Sequence, residues 1–81
     1  MNEQVRRLFE ELEACADQIE ELGCEVHLLV SHVFVFEPYQ RREELLESVR
    51  MVEGVLGELL EVASAAAKVL AKLKEELLRR E

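Results

Sequence analysis

Eighty-one residues with eighteen Asp and Glu against ten Lys and Arg, a formal charge of −8, bound one small domain over 1–81. The charge argues against phosphate backbones and anionic membrane surfaces as partners. Two cysteines make no disulfide framework and suit a reducing compartment.

The opening text, Met1-Asn2-Glu3-Gln4, lacks a basic stretch followed by an apolar one. The longest apolar-rich run, residues 26–36, is interrupted by His27, Ser31 and His32 and is too short to span a bilayer. The expected location is therefore the cytoplasm, with no membrane and no nucleic acid among the partners.

Residues 3–22 read as an amphipathic helix. Val5, Leu8, Leu12, Cys15, Ile19 and Leu22 alternate steps of three and four, and Phe9 and Ala16 widen the stripe. Asn2 is placed to cap it, and Glu3 suits the positive end of the helix dipole.

The next segment supports two readings. Residues 24–36 are rich in β-branched and aromatic side chains, which favours a strand. Against that, the three-four spacing runs through Gly23 to Val26, Leu29, Val33 and Phe36 without a change of phase. A lone strand would also have to pair between chains, because no second strand is in view. Helix is the favoured reading, and an α-β-α chain with a strand at 24–36 paired between chains is the alternative. As a helix, the segment is apolar nearly all round, with Leu28, Val30, Phe34 and Val35 outside the seam. One hairpin partner cannot cover it, so self-association is expected.

Glu37-Pro38 is the only strong punctuation. Proline cannot continue the first helix, pushes Glu37 away from helical geometry, and suits the first turn of the next helix. A tight reversal is predicted near residues 36–39, followed by a helix over about 39–80. In that helix Leu45, Val49, Val52, Leu56, Leu59 and Ala63 open a heptad seam, which Ala66, Leu70, Leu73 and Leu77 continue without a slip. Gly54 and Gly57 each cost about 1 kcal/mol there relative to Ala. They could mark a break, but the heptad passes through them. Near the end, Glu75/Arg79 and Glu76/Arg80 have the spacing of helix ion pairs, and Arg79 and Arg80 favour the negative end of the dipole.

Folded on paper at residues 37–38, Gly23 falls level with Val52, and Cys15 with residues close to Ala63. The seam is broad, with Leu46, Val55, Leu60, Val62, Ala67 and Val69 flanking it. A breadth of this kind fits helices with two neighbours. The expected fold is all-α: a long hairpin of helices over about 3–36 and 39–80, two copies of which form a four-helix bundle. The expected interface takes Val26, Leu29, Val30, Val33, Phe34 and Phe36 from the first helix. From the second it takes Leu45, Val49, Val52, Leu56 and Leu59.

Little here carries chemistry. His27 and His32 are weak candidates for a metal, because a spacing of five puts them on different helical faces. The plainer expectation sets one on the flank and the other partly buried and hydrogen-bonded, with His32 near Glu43 across the hairpin. Cys15 reads as a small core residue and Cys24 as an outward thiol, nine residues apart and unable to bridge within the chain, with Cys24 either bridging between chains or free. The acidic stretch Glu10, Glu11, Glu13, Asp17, Glu20, Glu21 and Glu25 reads as a solvated face. No phosphate loop, dinucleotide fingerprint, EF-hand or nucleophile elbow is visible, so no enzyme and no cofactor are expected.

The C-terminal text, Ala-Lys-Val-Leu-Ala-Lys-Leu-Lys-Glu-Glu-Leu-Leu-Arg-Arg-Glu, resembles the idealised helices of computationally designed helical-bundle proteins. The resemblance covers residues 41–81 and the first helix and is one of style. Cys24, His27, His32 and the Val/Phe run depart from it, which points to a specified interface or site in the middle, or to a natural origin. Three functions remain open: a self-associating bundle partnered by itself, a module binding another protein or helix on the apolar 26–36 surface, and a small-molecule, haem or metal site between the helices.

Overall fold

The computed structural model describes residues 2–79. Helix α1 spans Glu3–Phe36 and helix α2 spans Arg42–Arg79, with a single 3-10 turn at Glu37–Tyr39 between them. The helices lie side by side along their whole length in a rod of 60 × 14 × 14 Å. Among the described residues there is no strand, so the strand alternative for residues 24–36 falls. The uninterrupted three-four spacing prevails there over the β propensity of Val and Phe, because an unpartnered strand would leave its backbone groups unpaired.

Local signals account for the ends. The Asn2 side-chain oxygen accepts a 2.9 Å hydrogen bond from the Val5 amide, with Asn2 in extended geometry as an N-cap requires. Neither Gly23 nor the pair Gly54 and Gly57 breaks its helix, and all three keep negative φ.

The reversal is longer than the sequence suggests. Glu37 stays in the right-handed helical region at φ −49°, ψ −45°, although a proline follows it. The pre-proline preference is a bias, and here the 3-10 turn is closed by the Gln40 amide donating to the Glu37 carbonyl at 3.2 Å. The chain then straightens at Gln40, with ψ 148°. Pro38 and Tyr39 therefore belong to the turn, and α2 begins at Arg42 rather than near Tyr39. It is helical to Arg79, the last described residue, and the expected end at Arg80 lies outside the described residues. Arg79 pairs with Glu76 at 3.5 Å rather than with Glu75, and Arg6 pairs with Glu10 at 3.6 Å. The expected Glu76/Arg80 pair involves a residue outside the described range.

The buried core is small and sits at the open end. Val5, Leu8, Val69 and Leu73 form one cluster with Leu12 packed against it, and Ala66 is the only other buried hydrophobic residue among those described. Even Val5, the deepest of them, keeps 3% of its surface. Towards the reversal the seam is only half covered.

Candidate interaction face

Taking Val5 and Leu45 as position a of their heptads, both helices meet through a and d. On α1 the facing residues are Leu12, Cys15, Ile19, Leu22, Val26, Leu29 and Val33, all half-buried, following Val5 and Leu8. That is the stripe the spacing predicts, except that its last residue, Phe36, is exposed where the chain turns away from α2. On α2 the a positions are the expected Leu45, Val52, Leu59, Ala66 and Leu73. The d positions are Ser48, Val55, Val62, Val69 and Glu76, each half-buried or buried. Val49, Leu56, Leu70 and Leu77, assigned by the spacing to the same seam, are instead exposed on the neighbouring e row.

The apolar arc of α2 is wider than one helix can cover, and α1 takes the edge carrying Val55, Val62 and Val69. Ser48 can occupy that edge because its hydroxyl donates to the Glu44 carbonyl of its own helix at 3.1 Å.

In an antiparallel pair the e rows of the two helices flank the same side of the seam. On α1 that row is Phe9, Ala16, Gly23 and Val30; on α2 it is Val49, Leu56, Ala63, Leu70 and Leu77. Beyond it, the b row of α2 carries Leu46, Leu60 and Ala67, with Leu60 67% exposed. Leu56, at 41%, is exposed but less open than Leu60 beside it. The b row of α1 is different in character, with Arg6, Glu13, Glu20 and His27 before Phe34. One side of the hairpin thus carries an apolar band that centres on α2 and runs most of its length. Near the reversal it opens into an apolar groove of about 670 Å³, lined by Val30, Val33, Phe34, Pro38, Val49 and Val52, with Glu37 at the rim.

The opposite side is polar along its middle, although near the reversal it too exposes Leu28, Val35 and Met51. Gln18, Glu21 and Glu25 of α1 line a second groove with Glu58 and Glu61 of α2, over Leu22 and Val62. This neighbourhood also corrects the register. Gly23 lies level with the stretch about Glu58, not with Val52, because the reversal consumes residues 37–41 rather than turning at 37–38. Cys15 then falls nearest Ala66, which keeps a small-residue layer between the helices.

The interface residues expected from the sequence divide accordingly. Val26, Leu29, Val33, Leu45, Val52 and Leu59 are half-buried between the two helices of one chain. Val30, Phe34, Phe36, Val49 and Leu56 are exposed, Phe34 at 83%. The spacing did not single out Leu46, Leu60, Ala67 or Leu70 as an outer face. Their signal was present as the flanking apolar letters, but only the structure separates the edge facing α1 from the edge facing outward.

His27 and His32 are both exposed, so neither is a buried, hydrogen-bonded histidine. The His32 ring rests on Phe36, with centroids 4.6 Å apart, and belongs to the polar g row rather than to a site opposite Glu43. Among the described residues no group of three or more His, Cys, Asp or Glu is placed to hold a metal ion. Both thiols are free, Cys15 half-buried in the seam and Cys24 exposed. No described helix is long and apolar enough to cross a membrane. Comparisons with family models, curated proteins and solved structures found no match.

Proposed function

We propose that this chain is a self-associating structural module without enzymatic activity, whose apolar e and b band packs on a second copy to give a four-helix bundle. The observation that carries this reading is the exposed e row Val49, Leu56, Leu70 and Leu77, interrupted only by the half-buried Ala63, with Leu46 and Leu60 beside it. Soluble monomers rarely leave so long an apolar band open, and such a band marks an interaction site. Helices with apolar a, d and e positions are the pattern of bundles in which each helix has two neighbours. The rod shape supports the reading too: the radius of gyration is 18.2 Å, whereas a compact chain of this length has about 12 Å.

Light scattering behind a sizing column, over a range of concentrations, tests it. A dimer is expected. Leu56→Glu should give a monomer of unchanged helicity, because Leu56 lies on the exposed row outside the seam with α1. A wild-type monomer at all concentrations overturns the proposal.

A second reading rests on the groove at the reversal. Its lining of Val30, Val33, Phe34, Val49 and Val52 suits the apolar face of a helix from another protein. Under that reading Phe34→Glu abolishes partner binding and leaves the mass of the free protein unchanged. Nothing in the metal or haem alternative gains support from the exposed, separated histidines.

A further inference from the structure

Taking the self-association above as its basis, we infer that the two hairpins join with their reversals at opposite ends, α2 lying antiparallel against α2 of the second copy. A twofold axis offers two ways of placing the apolar bands face to face. With both reversals at one end, each α2 lies beside the α1 of the other copy. With reversals at opposite ends, each α2 lies beside the other α2.

The b rows decide between them, because they form the edge of each helix nearest its new neighbour. Residues 18–25 lie beside residues 58–62, and Val5 and Leu8 share a cluster with Val69 and Leu73. By that register the first arrangement pairs Leu46 with Phe34 and Glu53 with His27 of the other copy near the reversal, but over the longer remainder it sets Leu60 and Ala67 against Glu20 and Glu13, and Lys74 against Arg6. Apolar surface would meet carboxylates, and one cation would meet another. The second arrangement sets the apolar letters of α2 against themselves about Ala63, and with α1 then beside the other α1 its like-charge contact is confined to Glu13 and Glu20.

It also resolves the two charges in that row. Glu53 and Lys74 occupy the same heptad position three heptads apart, with Ala63 and Ser64 midway between them. Antiparallel pairing about that midpoint brings each Glu53 within a turn of Lys74 of the other copy. In the single hairpin neither residue has an ion-pair partner among the described residues. The neighbours of Lys74 three and four residues away are Leu70, Ala71, Leu77 and Leu78, so no carboxylate of its own helix is in reach.

Two measurements on the full chain test the orientation. The first is the distance between spin labels on Glu47→Cys, in a Cys15→Ala, Cys24→Ser background, since residue 47 sits on the solvent side near the reversal. At a rise of 1.5 Å per residue, opposite ends give a separation of about 50 Å, and a common end gives under about 30 Å. The second is charge reversal. Lys74→Glu should weaken the dimer roughly tenfold, and adding Glu53→Lys should restore it. In the common-end arrangement Lys74→Glu would relieve the contact with Arg6 and tighten the dimer instead. A dimer with the short distance, or one tightened by Lys74→Glu, overturns the orientation and leaves self-association standing. A monomer at every concentration overturns both.

Discussion

At Gly57 an added Cβ would meet nothing within 4 Å, and the same holds at Gly54 and Gly23. All three sit inside helices, where glycine costs about 1 kcal/mol relative to alanine, chiefly through the freedom it must give up. Gly57 is on the outer f row, so Gly57→Ala should stabilise the protein by about 0.5–1 kcal/mol in urea unfolding. Gly23 is half-buried on the e row of the proposed interface. Its substitution by alanine gains the same backbone term in an isolated hairpin. A smaller gain than at Gly57, measured at dimer-forming concentration, would report a neighbour close to that backbone; an equal gain would place no neighbour there. At the other end of α1, Asn2→Ala removes the acceptor for the Val5 amide and should cost about 1 kcal/mol.

At the scale of the element, α2 has two apolar edges with different duties, and they can be separated by substitution. Val62 faces α1 and is half-buried, so Val62→Ser should cost about 1–2 kcal/mol of unfolding free energy whatever the state of association. Leu56 is on the other edge, so Leu56→Ser should leave the helicity of the dilute monomer unchanged and weaken association. Equal effects of both on monomer unfolding would show that the edges do not divide as described. The sequence made the helices legible because their apolar spacing never slips, from Val5 to Phe36 and again from Leu45 to Leu73. It also revealed that α2 is too broad for one partner. It could not show which edge α1 would take, since Val49 and Val55 are equally apolar and both lie one step from Val52. The length of the reversal is not legible, for a different reason. Proline chemistry marks where a helix stops, but the 3-10 turn and the extended Gln40 that follow depend on how the two helices come alongside.

For the whole molecule, a rod only 14 Å thick has no layer from which water is fully excluded, and its stability should therefore depend on concentration. In a bundle of two copies, each tenfold rise in protein adds about 1.4 kcal/mol to the folded state. The melting temperature should climb with concentration, and a flat series would exclude association coupled to folding. Reductant should leave the dimer itself unchanged and remove only disulfide-linked larger species, because Cys24 is exposed on the outer f row and Cys15 lies inside the seam. The placement of the core has a kinetic consequence as well. A helical hairpin ordinarily closes from its turn, where contacts are local and cheap in loop entropy. Here the reversal is the poorly covered end, and the tightest cluster joins Val5 and Leu8 to Val69 and Leu73 at the two extremities of the chain. Folding must therefore bring distant segments together before its best contacts form, which makes the chain slow for a helical protein of its size. The termini, usually the first places to fray, become the clasp: the most slowly exchanging amides should be those around Leu8 and Val69, and the fastest within the helices those flanking the turn.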